Sequence, residues 1–124
     1  MSQYVKPLTW VLGVVLTLVG VLGFVLTDPL LGIFKIDPIH NIIHLASGLV
    51  AIAAVSMSEM YARWYLIAFG LVYGLVTILG FVEGDTVLGI ITVNPADNYL
   101  HFAIAAVCLI VGFMGEPKSG MMHA

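Results

Sequence analysis

Two short segments of this 124-residue chain carry the side chains whose types and spacing could do chemistry. His40 and His44 stand four residues apart in the first segment, and Asp97 and His101 do so in the second. Residues at this spacing lie on one face of an α-helix. If the two faces meet, they offer three imidazoles and one carboxylate, a ligand set that suits zinc, copper or iron. His44 and His101 alone resemble the paired imidazoles that hold a b-type haem.

A structural role for the same segments competes with ligand binding. Asn41 and Asn98 lie among these residues, and polar side chains join membrane helices through hydrogen bonds. Hydrogen bonds from His44 to Asn98 and from His101 to Asn41 would tie two helices together. Asp97 would then accept hydrogen bonds from the free backbone amides at the start of a helix. The sequence favours this polar network over a metal or haem site, with these members: His40, Asn41, His44, Asp97, Asn98 and His101.

Helix-start signals precede both segments. Asp37 and Asn94 are residue types that cap the free amides of a first turn. Pro38 and Pro95 follow them, at the first helical position, where no amide donor is needed. The first polar side chains are therefore expected in the first turn of two helices, with the second histidine of each segment one turn deeper.

The composition predicts a membrane protein. Hydrophobic residues make up 61% of the chain and charged residues only 9%, whereas about 25% of a soluble domain is charged. Four apolar stretches each approach the ~20 residues that a helix needs to cross a bilayer. They lie at 8–26, 38–57, 61–82 and 95–114.

A repeat links the two polar segments. Residues 31–44 align without a gap with residues 88–101, and the same offset pairs Gly23 with Gly80. The expected fold is all-α, a bundle of four transmembrane helices built from two tandem two-helix repeats. Because each repeat has two helices, the repeats are expected to be parallel, with a pseudo-twofold axis along the membrane normal. The single membrane domain, 1–124, comprises repeats at about 7–57 and 62–114 and a short cytoplasmic tail at 115–124.

Four positive charges predict the orientation. Lys6, Arg63 and Lys118 fall on one side of the four-helix layout, and Lys35 falls on the other. The positive-inside rule then places both termini in the cytoplasm. The expected partners are the lipid bilayer and either a second copy or a larger membrane complex. A net charge of −3 without a basic patch argues against nucleic acid.

The two loops opposite the termini are unusually apolar. Residues 30–34 and 87–91 contain almost no polar side chains, although loops exposed to water are normally polar. These segments are expected to fold back onto the bundle or to lie in the membrane interface as short caps.

Two motifs carry a resemblance to a protein family. They are NIIH at 41–44, followed by Gly48, and NPADNYLH at 94–101. With these motifs the chain, over about residues 7–115, resembles a family of small bacterial four-helix membrane proteins described only as a domain of unknown function. The resemblance implies a four-helix integral membrane protein of a bacterial inner membrane, with no established activity. Ala105 stands in the fourth helix where the second has Gly48, so the internal symmetry is imperfect there.

The function expected from the sequence is that of a structural or accessory membrane subunit. No nucleophile–base pair, phosphate loop or dinucleotide fingerprint indicates catalysis. The alternative is a metal- or haem-binding membrane protein, which would use a transition metal or haem b at His40, His44, Asp97 and His101.

Overall fold

The computed structural model describes residues 2–114, which form four long α-helices and one small sheet of two strands. A short 3₁₀ turn, Ser2–Tyr4, leads into α1 (Val5–Val25). The remaining elements are α2 (Pro38–Met57), α3 (Glu59–Glu83), β1 (Thr86–Val87), β2 (Ile91–Thr92) and α4 (Pro95–Met114). The four predicted spans are confirmed, and no helix end differs from its prediction by more than three residues. The predicted tail at 115–124 lies outside the described residues.

All four helices are long and apolar enough to cross a membrane. They contain between 20 and 25 residues, with mean hydropathies between 1.6 and 2.4, and a helix of 20 residues spans about 30 Å. The outward faces are rich in exposed aliphatic and aromatic side chains such as Val14, Leu49, Leu75 and Phe102. The chain is therefore an integral membrane protein whose outer surface suits lipid.

Small residues bring the helices of each half together. A Cβ atom at Gly13 of α1 would lie 2.7 Å from Ile52 Cγ1 of α2. A Cβ atom at Gly70 of α3 would lie 2.7 Å from Leu109 Cγ of α4, which is the same contact 57 residues later. Such close backbone approach is the main way helices pack where lipid supplies no hydrophobic drive. The pseudo-twofold axis along the membrane normal stays a prediction.

Two tight hairpins close one end of the bundle, which we call the hairpin end. The first joins α1 to α2 through a bridge between Leu30 and Phe34, and the second is the antiparallel pair β1–β2. Leu31 and Leu88 occupy the equivalent tip positions with positive φ angles of 56° and 55°. The sequence did not predict these strands, because each is only two residues long.

The apolar loop residues divide into a buried and an exposed set. The buried set, which confirms that the loops fold back onto the bundle, consists of Leu30, Ile36, Val87, Ile91 and Val93. The exposed set occupies the hairpin tips and consists of Leu31, Ile33, Leu88 and Ile90. The half of the bundle farther from the hairpins is filled by a separate apolar cluster that includes Leu12, Val55, Leu66 and Val111. The polar segments lie between these apolar layers.

Candidate metal centre

Side-chain caps fix the first turns of α2 and α4. Asp37 Oδ1 accepts a hydrogen bond of 2.8 Å from the His40 backbone amide. At the start of α4, Asn94 Oδ1 accepts from the Asp97 amide at 2.9 Å, and Asp97 Oδ2 accepts from the Asn94 amide at 3.0 Å. Proline occupies the first helical position of both helices. The caps set the rotation of the first turn and hence the direction of the residues that follow.

The same carboxylates tie the two halves of the chain together. Asp37 Oδ2 accepts from the backbone amide of Thr92 at 2.6 Å and also from the Thr92 hydroxyl. In the other direction, Asp97 Oδ2 accepts from the backbone amide of Lys35 at 3.0 Å. Positions 35 and 92 are equivalent in the repeat, so each half supplies an acceptor to the other half's hairpin. A polar network therefore exists at the hairpin end, and the carboxylates form it with backbone amides.

These bonds also affect the ionisation of Asp37. Partial burial acts to raise the pKa of this carboxyl, but hydrogen bonds from Thr92 and His40 favour the charged form more strongly. The pKa of Asp37 is consequently held below its ordinary value of 3.8. The carboxylate is charged at neutral pH and serves as an acceptor for both halves.

Three histidines converge just inside this network. His40, His44 and His101 are 2%, 8% and 4% exposed. One ring nitrogen of each lies within 4.8 Å of the corresponding nitrogens of the other two. The ring centroids are 4.4 Å apart for His40 and His44, and 6.2 Å apart for His44 and His101. α2 therefore supplies two imidazoles and α4 supplies the third.

The hydrogen bond of His40 determines which of its nitrogens is available. His40 Nδ1 lies 3.1 Å from the carbonyl oxygen of Thr92. A carbonyl oxygen only accepts, so Nδ1 must carry the proton in this contact. In the neutral ring Nε2 then bears the free lone pair, and Nε2 is buried without a hydrogen-bond partner among residues 2–114. A backbone carbonyl that fixes the tautomer in this way is a common feature of histidine metal ligands.

The imidazoles of His44 and His101 do not make the hydrogen bonds to asparagine that the sequence predicted. His44 Nδ1 and His101 Nδ1 are buried and have no hydrogen-bond partner within the described part of the chain. Within residues 2–114, the structure has no hydrogen bond from His44 to Asn98 and none from His101 to Asn41. The reason is that each asparagine side chain turns towards a glycine of its own half. Asn41 packs on Gly23 of α1 and Asn98 packs on Gly80 of α3, so closely that a Cβ at either glycine would overlap the amide.

Asp97 is the predicted ligand that stays apart from this cluster. Its Oδ2 atom accepts two backbone amides, and the clustered ligand atoms found within residues 2–114 come from the three histidines. The geometry brings together three of the four residues predicted as ligands, and the fourth acts as a helix cap.

Two cavities flank the histidine cluster. The first, about 130 Å³, lies between α2 and α3 and is bordered by all three imidazoles. The second, about 90 Å³, is bordered by His44, His101 and Asp97. Many of their wall positions are equivalent in the repeat, such as Val76 in the first and Val19 in the second. The cavities therefore occupy corresponding places in the two halves.

Sequence reasoning missed two residues of the site. Thr92, whose carbonyl orients His40, lies in a loop and offered no signal in the sequence. Tyr73 borders the first cavity, and its ring lies 5.3 Å from that of His101. The equivalent residue in the first half is Leu16. A tyrosine that replaces an apolar residue of the repeat was the signal that could have identified Tyr73.

The class of this protein is set by four apolar spanning helices around a buried polar centre: it is an integral membrane protein. The chain belongs to the family described as "Domain of unknown function (DUF4383)", whose model matches residues 6–114. The resemblance to such a family is thereby confirmed. No curated protein and no solved structure gives a significant match to the chain. The family description assigns no activity.

Proposed function

We propose that this membrane protein binds one transition-metal ion between α2 and α4, through His40, His44 and His101. The observation that carries the proposal is the convergence of three buried imidazoles whose ring nitrogens lie within 4.8 Å of one another. Each ring also has a buried nitrogen that makes no hydrogen bond to any residue in 2–114. Single buried histidines are usually satisfied by neighbours, whereas a set of three unsatisfied ones calls for a shared partner.

The energetics support a metal ion as that partner. A buried polar atom left without a hydrogen bond costs about 1–3 kcal/mol, so three such atoms together are a considerable burden on a small bundle. One metal ion coordinated by these nitrogens would satisfy all three at once. Metal–nitrogen bonds of about 2.0–2.1 Å in tetrahedral geometry separate the nitrogens by about 3.3–3.4 Å. Binding therefore requires the rings to move together by at most about 1.5 Å, which side-chain rotation can supply.

The donor set limits the choice of metal. Three neutral imidazoles suit zinc, copper and iron, whereas magnesium and calcium require oxygen ligands. The carboxylate of Asp97 is engaged by the Lys35 and Asn94 amides, which leaves an all-nitrogen site. Three protein ligands leave a fourth position open, as in metal sites that bind a further small ligand.

The haem alternative is less well supported. A haem held by His44 and His101 needs a slot for a flat macrocycle, and pockets for ligands of comparable size measure about 300–1,000 Å³. The two cavities beside these histidines measure about 130 and 90 Å³. His40 also lies against His44, with ring centroids 4.4 Å apart, and so occupies space beside this histidine.

The sequence predicted that the polar residues stabilise the bundle, and we attribute this role to the helix-capping carboxylates. Asp37 and Asp97 bond across the two halves, so they can stabilise the bundle while the histidines remain available for a ligand. Membership of a larger complex, or self-association, stays a prediction from the sequence, as do the bacterial inner membrane and the cytoplasmic termini.

Metal binding can be tested with protein purified without a histidine tag. Elemental analysis after incubation with zinc, copper or ferrous iron should give about one ion per chain for the wild type. His44→Ala and His101→Ala should each reduce affinity by at least about tenfold. His123→Ala is the matched control, because it removes the fourth histidine of the sequence, which is not among the residues proposed as ligands. Equal metal content in wild type, His44→Ala and His101→Ala would overturn the proposal.

A further inference from the structure

The cavity between α2 and α3 is the feature that the metal site does not account for. It measures about 130 Å³ and touches all three histidines. Its other walls are Ile43, Ser47, Phe69, Val72, Tyr73, Val76 and Ile91. These residues carry no charge, so the described wall offers nothing to neutralise an ion. An apolar cavity of about 150 Å³ accommodates a molecule as small as benzene or xenon.

One polar group distinguishes this cavity from its counterpart. Tyr73 is 3% exposed. Its hydroxyl lies close to the Ser47 side chain, but no partner within the described chain stands in hydrogen-bond geometry to it. The equivalent position in the first half is Leu16, which has no donor. The smaller cavity also touches two of the three histidines rather than all three. The larger cavity therefore combines the whole cluster with a hydroxyl donor.

The cavity lies beside the membrane. Val72, which forms part of its wall, is 53% exposed on the outward face of α3. Ile43, Phe69 and Val76 are partly buried and continue the wall inwards. A small molecule that dissolves in hydrocarbon could reach the histidines through this side of the bundle, whereas a charged one would have to leave water at a cost.

We propose, resting on the metal site proposed above, that this cavity binds a small uncharged molecule of the size of dioxygen at the open position of the metal. One end of the ligand is held by the metal between His40, His44 and His101. The other end accepts a hydrogen bond from the Tyr73 hydroxyl. The apolar walls select against ions, and the volume selects against molecules much larger than benzene.

Carbon monoxide is the probe, because it binds cuprous copper and reports on its surroundings through the infrared C–O stretch. Wild-type protein in lipid nanodiscs is loaded with cuprous copper, its copper content is measured, and carbon monoxide is then titrated in. Val76→Phe fills the larger cavity and should weaken carbon monoxide binding at least about tenfold. Val19→Phe, the matched control at the equivalent position of the other cavity, should leave it unchanged.

The Tyr73→Phe variant tests the hydrogen bond. It keeps the ring and removes the hydroxyl, so it should shift the C–O stretch and weaken binding by about three- to tenfold, the loss of one hydrogen bond. Its copper content should equal that of the wild type. An unchanged stretch and affinity would refute the role of Tyr73.

The copper measurement separates failure of this proposal from failure of the metal site. If the wild type binds none of copper, zinc and ferrous iron, the metal site fails and the ligand proposal fails with it. If it binds zinc or ferrous iron but no copper, the ligand proposal alone fails. If copper is bound but carbon monoxide does not bind, or binds equally well to Val76→Phe, the cavity is not the ligand site while the metal site stands. If Val76→Phe does not retain copper, Val72→Phe at the outer wall replaces it, and it should likewise weaken carbon monoxide binding while retaining copper. Val15→Phe, the equivalent position in α1, is then the control.

Discussion

Replacing Gly23 by alanine should test the packing that directs the polar residues of α2. In the structure a Cβ atom at position 23 would overlap the side-chain amide of Asn41. Even Asn41 Nδ2, the most distant of the three nearest atoms, would lie only 2.9 Å away. Asn41 is buried and follows His40 directly on α2, so its amide must turn aside within the packed bundle to admit the new methyl group.

The size of the effect follows from two opposing contributions. Alanine gains up to about 1 kcal/mol over glycine in helix propensity. Overpacking a tight contact costs about 1–3 kcal/mol. Gly74→Ala separates the gain in helix propensity from the cost of overpacking, because a Cβ at position 74 meets no atom of the described chain within 4 Å. Gly74→Ala should therefore raise the free energy of unfolding, and Gly23→Ala should lie about 1–3 kcal/mol below it.

Reversible unfolding of the protein by SDS in mixed micelles, followed by circular dichroism, measures both variants against wild type. Adding Asn41→Ala to Gly23→Ala removes the overlap, so the double variant should recover part of the loss, with a coupling of about 0.5–3 kcal/mol. Gly80→Ala should behave like Gly23→Ala, since it meets Asn98 in the same way. Equal stabilities for Gly23→Ala and Gly74→Ala would refute this packing.

Three further predictions concern the carboxylates at the hairpin end. Asp37→Ala should lower the free energy of unfolding in SDS by about 2–3 kcal/mol, because α2 loses its cap and the Thr92 amide loses its acceptor. If Asp37→Ala lowers this free energy no more than Asp37→Asn does, the prediction is wrong. Because the pKa of Asp37 is held below its ordinary 3.8, its stabilisation is complete above about pH 4 and disappears as the pH falls through the folded-state pKa. Unfolding measured against pH should therefore show a smaller acid loss in Asp37→Asn than in wild type; the remaining loss comes from groups such as Asp28, whose pKa is also lowered. Asp97→Asn should retain metal affinity within about twofold, as measured by competition with a chelator, and a large loss would make Asp97 a fourth ligand.

The sequence predicted the helices well because their signals are local. Runs of about twenty apolar residues set the four spans, and Asp37-Pro38 and Asn94-Pro95 mark where two of the helices begin. The spacing of His40 and His44 also follows directly from helix geometry. These features depend on neighbours a few residues away, which the sequence displays.

The partners of the polar side chains depend on distant contacts, and there the sequence was insufficient. Asp97 has the spacing of a ligand, but the fold brings the Lys35 amide to it. Asn41 was expected to meet His101, but the fold places Gly23 beside it. Nor does the pattern show a cavity beside the histidines, because its volume depends on how α2 and α3 pack. The repeat predicted which residues correspond, while the packing determined which residues touch.

X-ray absorption spectroscopy of the zinc-loaded protein in nanodiscs tests the central claim most directly. The proposed site predicts about three imidazole nitrogens at about 2.0–2.1 Å from the ion, with the multiple-scattering pattern of histidine rings. The double variant His44→Ala/His101→Ala should lose this spectrum together with the bound zinc. A wild-type spectrum of oxygen ligands alone, or an unchanged histidine spectrum in the double variant, would contradict metal binding by His40, His44 and His101.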